Sequence, residues 1–318
     1  MKKGFLQFIV CPSCNGLLRE ENRFLVCENC GKRYPVKDNI PFFAEDQFDK
    51  ETSDKFGFSW NKFPDIYKKE KEDFLNWIYP VKEEFFKDKV VLDAGCGNGL
   101  HAKMASEFGA KIVFGIDLSS AVNAAKRNIK GHKNIQILQG NIYSLPFKKN
   151  TFDYVYSIGV IQHLPEREKA IERLASVVNK GGALSLWVYG YEGTFFVRTF
   201  IEPIRKALKI FPAEFIYVLS FFPAVLFWLV NKFFKRLCGI SKRICKFVPL
   251  GEYFAYMSNF PFKYQFNTVF DQLVAPRSYF FKKYELENIF EKLNFKKITI
   301  TDRNGMSWRV FAEDKQDE

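Results

Sequence analysis

The sequence predicts an α/β protein: a doubly wound, seven-stranded sheet with a small metal-bound module at its N-terminus and a helical, hydrophobic insert toward its C-terminal end. Three observations carry this. Residues 90–99 read Val-Val-Leu-Asp-Ala-Gly-Cys-Gly-Asn-Gly, an apolar strand that stops on an acid and opens into a glycine turn, with a helical stretch at 101–108 behind it. Cys11, Cys14, Cys27 and Cys30 form two C-x-x-C pairs separated by twelve residues. Residues 198–246 hold ten Lys or Arg against two Glu, a net +8 of the chain's +12, around an uncharged block at 215–230.

From the N-terminus, the paired knuckles place two thiolates each on one metal, and four thiolates at this spacing favour a tetrahedral structural zinc with no open position for catalysis. About forty residues bury too little core to fold securely alone, so the metal is expected to supply folding energy. A redox C-x-x-C needs a strand–helix context that is absent here. Residues 1–10 begin Met-Lys-Lys and continue mostly apolar, but the stretch is short, holds Gln7 and lacks a small-residue cleavage site. The expected compartment is therefore cytoplasmic and reducing, with Cys96, Cys238 and Cys245 as ordinary thiols. Residues 1–45 are assigned to this module and 46–88 to an aromatic linker with N-terminal helices. The linker centres on Phe56-Gly57-Phe58-Ser59-Trp60. Aromatics this dense are costly to expose; they either pin the zinc module to the core or close over the main site as a lid.

The sheet begins at residue 90. Gly95 and Gly97 lack Cβ atoms, so the backbone turns sharply and a ligand can approach the amides, while Gly99 lets the next helix pack closely. A dinucleotide fingerprint has a different order of glycines; here Asp93 stands ahead of them, and an anion there repels pyrophosphate and suits a cation. Residues 111–116 form a second strand ending on Asp117, where an acid can accept both ribose hydroxyls. Strands follow at 134–139, 152–157 and 183–189, with a helix at 170–178 stopped by Gly181-Gly182, and this alternation means a parallel sheet. Residues 284–293 have helical spacing, and 295–300 with 308–312 form the closing pair of strands.

The Asp93-to-Gly99 loop with Asp117 resembles the class I S-adenosylmethionine-dependent methyltransferases, whose first motif has this wording and whose cofactor carries an ammonium and a sulfonium. The resemblance implies a core at 89–191 and 280–314. It implies cofactor contacts from Asp93, Gly95, Cys96, Gly97, Asn98, Gly99, Asp117, Leu118, Asn141, Ile142 and Ser157. Where the family usually has an Asp to bond the adenine amine, this chain has Asn141, which can accept through its carbonyl oxygen. The run from Cys11 through Tyr34-Pro35-Val36 to Ile40-Pro41 resembles the small zinc-binding protein that activates tRNA, rRNA and release-factor methyltransferases, here fused in cis. S-adenosylmethionine and a structural Zn²⁺ are thus the expected cofactors.

Residues 192–279 are the insert, where the resembled family builds its substrate lid. Its block at 215–230 is short of the roughly twenty residues of a spanning helix and holds Pro223. Two readings stand: a helical pair lying in a membrane interface with its Lys and Arg at the headgroups, or a lid buried over the pocket with a solvated basic rim. The charges flank an apolar block instead of interleaving with groove residues, which argues against nucleic acid. Arg277 and Tyr279 either meet a substrate anion or hydroxyl, or are a surface Arg and a packed Tyr.

Methyl transfer needs alignment, exclusion of water and removal of a proton from a neutral nucleophile. His163, just past the fourth strand, is the candidate general base. Enzymes that methylate planar exocyclic amines carry an Asn or Asp, two prolines and an aromatic at position 157; here the residues are Ser157-Ile158-Gly159-Val160. The expected function is therefore O- or C-methylation of a small-molecule or lipid-linked acceptor by an enzyme peripheral on the inner face of a membrane. An RNA methyltransferase is the alternative, since the rRNA guanine-N1 enzymes also join a zinc ribbon to this core. Oligomeric state is not legible.

Overall fold

A computed structural model describes residues 4–43, 49–63, 70–240 and 251–316. The leading Met1-Lys2-Lys3, the two ends of the aromatic linker, the basic residues Lys242, Arg243 and Lys246, and Cys245 lie outside them. The chain divides into a unit of residues 1–195 with 277–318, and a second of residues 196–276.

The first unit holds both sheets. The small one runs β1 (Leu18–Glu21), β2 (Phe24–Cys27), β3 (Arg33–Lys37) and β4 (Ile40–Pro41), paired antiparallel in that order. The large one comprises β5 (Val90–Ala94), β6 (Ile112–Asp117), β7 (Ile135–Gln139), β8 (Phe152–Ile158), β9 (Val178–Tyr189), β10 (Phe295–Arg303) and β11 (Ser307–Lys315). Its order is β10-β11-β9-β8-β5-β6-β7. β5 to β9 pair in parallel, whereas β11 is antiparallel to both β9 and β10. The alternating strands are parallel as expected, and the closing pair is antiparallel because a short turn at 304–306 joins its strands, and only an antiparallel pair can be closed so briefly. The strands on either side of β5 are reached by oppositely directed windings, so the C-terminal end of β5 lies at the switch point where ligands collect.

Helices α1 (Lys50–Lys62), α2 (Glu70–Trp77), α3 (Leu100–Glu107), α4 (Val122–Asn128) and α5 (Arg167–Ser176) accompany the strands. The helix expected to reach residue 178 stops at Ser176. The Gly181-Gly182 pair lies inside β9, at an irregularity where register passes from Phe152↔Val178 to Tyr154↔Ala183, and Gly181 takes a φ of 73° there.

The zinc module is not a separable appendage. Phe43 N–H donates to Gln139 O at 2.7 Å, Phe42 forms a parallel bridge with Gln139 and Ile9 an antiparallel one with Phe147, and Gln136 Nε2 donates to Asn39 O at 2.8 Å. The module therefore covers the exposed edge of β7, which would otherwise present unpaired backbone groups. Apolar packing reinforces this: Phe5 and Phe8 meet the buried Phe114 ring edge-on at 5.2 and 5.7 Å, and Phe114 in turn packs on Phe147 and Phe152. The module and the large sheet thus share one hydrophobic cluster.

In the second unit, α6 (Glu202–Leu208), α7 (Ala213–Leu219), α8 (Phe221–Ile240), α9 (Gly251–Met257) and α10 (Phe262–Val274) form a helical bundle; α11 (Lys283–Glu291) belongs to the first unit. Among the described residues no single helix is long and apolar enough to cross a membrane; α7 and α8 meet the test only as a pair bent by 42°. The break falls at Ser220, not at Pro223, which sits in the first turn of α8 where its missing N–H costs nothing. Cys238, expected as an ordinary thiol, is disulfide-bonded.

Because Phe114 joins the two sheets, Phe114→Ala should cost about 3–5 kcal/mol. Urea unfolding followed separately by a probe in the zinc module and by circular dichroism should show one shared transition, displaced to lower denaturant; two separated transitions would contradict the shared core.

Candidate cofactor site and zinc centre

β5 and β6 align in parallel with Asp93 opposite Gly115, and this register sets the site. The loop after β5 is pinned from below, because the amides of Gly95 and Cys96 both donate to Ile116 O, at 2.8 and 3.0 Å. Gly95, Gly97 and Gly99 all have positive φ, at 82°, 49° and 76°, a region costly for any residue with a Cβ. A Cβ on Gly99 would stand 2.9 Å from Ala125 Cβ of α4, so that glycine serves helix packing. A Cβ on Gly97 would stand 2.9 Å from the indole of Trp60.

Trp60 decides between the two readings of the aromatic linker for its described part. α1 lies across the loop: Ser53 Oγ donates to Leu118 O at 3.4 Å, Asn61 Nδ2 donates to Ser120 O at 3.2 Å, and Gly57 abuts Ser120. The segment is a lid over the glycine loop. At its start Asp49 pairs with Arg277, whose NH2 and NH1 donate to the two carboxylate oxygens at 3.2 and 3.3 Å. Arg277 is thus held by protein, and Tyr279 is packed, its hydroxyl donating to Glu285 Oε1 at 2.8 Å beneath the Arg167 guanidinium.

The expected contacts divide by what their side chains already do. Asp117 Oδ2 accepts from Gly97 N–H at 2.9 Å, and Oδ1 accepts from Ser119 N–H and Oγ–H at 2.9 and 2.6 Å. It therefore braces the glycine loop from the end of β6. Ser157 Oγ donates to Ala94 O at 2.8 Å and is fully buried; its hydroxyl ties β8 to β5 and is not available to a cofactor. Asn141 Oδ1 accepts from Tyr143 N–H at 3.0 Å, capping the turn Ile142–Ser144, so the atom expected to meet adenine has a backbone partner. Asn98 Oδ1 accepts from Leu100 N–H at 3.2 Å, at the start of α3. The Cys96 thiol lies against Gly115, and burial, then the charges of Asp117 and Asp93, push its pKa well up. Cys96 and Asn98 line the site through backbone alone, as does Leu118, whose carbonyl accepts from Gln139 Nε2 at 2.9 Å.

Asp93 is different. Its Oδ2 is buried without a hydrogen-bond partner, and burial, then the Asp117 charge, raise its pKa well above the usual carboxylate range. A buried carboxylate oxygen with no partner fits a ligand that carries a positive charge.

Beyond the end of β8, His163 Nδ1 lies 2.7 Å from Arg277 O. A carbonyl only accepts, so Nδ1 carries the proton and Nε2 is the basic nitrogen. The ring stands between Phe56 and Tyr189, centroids 5.0 and 5.6 Å away. Tyr189 continues into Trp187 and Trp77, each 5.7 Å from the ring before it. Neighbouring Gln162 is buried with neither amide atom hydrogen-bonded. Sequence reasoning missed Gln162 because a polar residue beside an expected base carries no mark of burial, and it left Trp60 undecided.

In the zinc module the four cysteine sulfurs lie within 4.8 Å of one another, with Cys14–Cys27 at 3.4 Å and Cys11–Cys30 at 3.7 Å. Tetrahedral zinc with Zn–S bonds of about 2.3 Å needs sulfur separations of about 3.8 Å. The Cys30 amide points at Cys27 Sγ, 3.4 Å away. Burial raises the Cys11 pKa, but hydrogen bonds from Tyr34 and the amides of Ser13 and Cys14 outweigh it and bring it down to about 6. The donor set fits zinc.

Comparison with known proteins agrees with this geometry. A methyltransferase-domain family model matches residues 92–186. Residues 92–186 are thus similar to the methyltransferase-domain family, over the strand, glycine loop and strands that build the site. A Trm112p-like family model matches residues 2–39, the zinc ribbon. The methyltransferase domain is 36% identical over 118 residues to a tRNA U34 carboxymethyltransferase of Cellvibrio japonicus, covering 35% of this chain and 37% of that protein. It is 31% identical over 118 residues to a ubiquinone biosynthesis O-methyltransferase of Coxiella burnetii, covering 35% and 50%. The chain thus spans half or less of the length of these relatives. Among solved structures, a complex of the Haloferax volcanii Trm112 methyltransferase activator with a methyltransferase aligns over 83% of this chain and 99% of that one, at 10% identity and a TM-score of 0.45.

Three outcomes are expected. Gly97→Arg should abolish S-adenosylmethionine binding in calorimetry, since a side chain at that position fills the space over the loop. The raised Asp93 pKa, caused by burial and then by the Asp117 charge, links cofactor binding to pH. Affinity should therefore rise with pH through the range in which Asp93 ionises, and Asp93→Asn should flatten that rise and weaken binding about 10- to 100-fold. By linkage the same shift makes the cofactor-free fold less stable as pH rises from the usual carboxylate range toward the folded-state pKa. Metal analysis should find one zinc per chain, and Cys27→Ser should lose it and lower the melting temperature of the whole first unit.

Proposed function

We propose that the protein transfers the methyl group of S-adenosylmethionine to an oxygen or carbon of a small-molecule or lipid-linked acceptor at the cytoplasmic face of a membrane. The cofactor supplies an electrophilic methyl; this chain's residues hold it, exclude water and handle the acceptor's proton. Asp93 and the loop of Gly95 to Gly99 fit the cationic end, and Asp117 stands where ribose hydroxyls are met. Trp60 and α1 keep solvent from the loop.

The observation that carries the acceptor class is the end of β8. Ser157 is committed to Ala94 O, and the residues directly after it, Ile158-Gly159-Val160, are not the two prolines and aromatic that grip a planar amine. Instead the aromatic row of Phe56, Tyr189 and Trp187 stands beside His163 and the unpaired amide of Gln162. An apolar, ring-lined wall with one donor–acceptor group suits a neutral hydroxyl or an activated carbon, and the basic Nε2 of His163 suits removal of the proton.

The RNA reading is supported by the identity to tRNA U34 carboxymethyltransferases and by the match of residues 2–39 to a Trm112p-like family. Incubation with methyl-labelled cofactor and separate lipid, small-molecule and RNA fractions decides between them. Label is expected in the lipid or small-molecule fraction, and label confined to RNA overturns the proposal. His163→Gln should lower turnover about 10²- to 10⁴-fold and leave cofactor affinity unchanged; unchanged turnover would remove His163 as the base.

A further inference from the structure

The second unit leaves an organised apolar surface in solvent. On α8 the side chains of Phe222, Leu226, Leu229, Phe233 and Ile240 each expose more than half of their area. Their spacings of four, three, four and seven residues fall on one helical stripe. Ala224 and Asn231, both fully buried, lie on the opposite side. The inward face is well specified: Phe227 and Phe234 pack on Phe254 at 6.0 and 5.1 Å, and Trp228 packs on Phe262 at 6.3 Å. Asn231 Nδ2 donates to Gln265 Oε1 at 2.6 Å, and Gln265 Nε2 donates to Phe260 O at 2.8 Å. This buried amide pair fixes the rotation of α8, because turning the stripe inward would strand both amides. Phe215, Val218 and Leu219 of α7, also exposed, keep the same register ahead of the bend. Contiguous exposed apolar side chains of this kind mark an interaction surface.

Charge identifies what covers it. No Asp or Glu occurs between Glu214 and Glu252, whereas Lys232, Lys235 and Arg236 follow the apolar half of α8 and are exposed. Arg236 borders the stripe on the helical wheel and Lys232 stands on its flank, over the Trp228 ring at 5.6 Å. A second copy packed in parallel on the stripe would bring these cations against each other. A surface that is apolar within and anionic at its boundary satisfies both features at once.

We infer that the second unit docks on an anionic lipid surface through this stripe. Phe222, Leu226 and Leu229 enter the acyl boundary, and Arg236 at the border of the stripe, with Lys232 on its flank, meets the phosphates. The inference deepens the proposed function by naming the surface at which a lipid-linked acceptor is met, and it rests on that reading only for the acceptor.

The test is flotation of the full-length protein with phosphatidylcholine vesicles and with vesicles containing 30% phosphatidylglycerol. The wild type should float with the anionic vesicles and release as salt rises. The triple variant Lys232→Glu, Lys235→Glu, Arg236→Glu should lose at least about tenfold in anionic-vesicle affinity. Leu226→Asp should cease to float while retaining its melting temperature, since that side chain is exposed. Cofactor affinity should be the same in all three proteins. A wild type that stays at the bottom of the gradient overturns the inference, as does a Leu226→Asp variant that melts markedly lower, which would mean the stripe is buried as a lid. A concentration-dependent dimer broken by Leu226→Asp, without flotation, assigns the stripe to self-association and overturns it as well. Failed flotation with cofactor binding and methyl transfer intact leaves the methyltransferase reading standing; flotation without cofactor binding removes that reading and leaves the surface.

Discussion

The parallel register of β5 with β6 is the constraint on which the site depends. It sets the two strand ends side by side, so that Asp93 and Asp117 are buried as neighbours and each raises the cost of charging the other. Asp117 meets that cost with three hydrogen bonds, one of them from Gly97. Asp93 does not, and one of its oxygens is without a partner. One carboxylate thus holds the loop in shape, while the other keeps an oxygen without a partner. Shifting the strands by one residue would turn both side chains to the other face of the sheet and dissolve the arrangement.

The zinc ribbon depends on the same sheet from its far edge. Four sulfurs close the knuckles, but the ribbon's apolar residues finish their burial only on Phe114, Phe147 and Phe152. Its last strand also supplies hydrogen-bond partners to β7. Metal coordination and edge pairing are therefore two halves of one stabilisation. A module of this size can hold its own loops with a metal, but it gains a core only by borrowing one.

Much of this was legible in the sequence because the signals are local. The order Asp-x-Gly-x-Gly-x-Gly, the paired C-x-x-C knuckles and the strand-to-helix alternation each act within a few residues, and the family and fold follow from them. What escaped is what depends on distant partners. Nothing in the neighbourhood of Ser157 says that its hydroxyl will be taken by Ala94 O across the sheet, or that Asn141 Oδ1 will be drawn to Tyr143. The reversal of β11 is set by a short turn whose effect on pairing appears only once β9 is beside it. The zinc ribbon looked detachable because its sequence signature stops at residue 41, while its packing partners lie more than seventy residues further on.

Arg277 stands where the chain returns from the second unit, and it engages two places at once. Its guanidinium holds Asp49 at the head of α1, and its carbonyl accepts from His163. The lid, the base and the exit of the insert thus share one residue, and energetic coupling through such a node is reciprocal. If displacing Trp60 from Gly97 strains the Asp49 pair, then whatever holds the returning chain in place biases cofactor loading by the same factor that loading biases the chain.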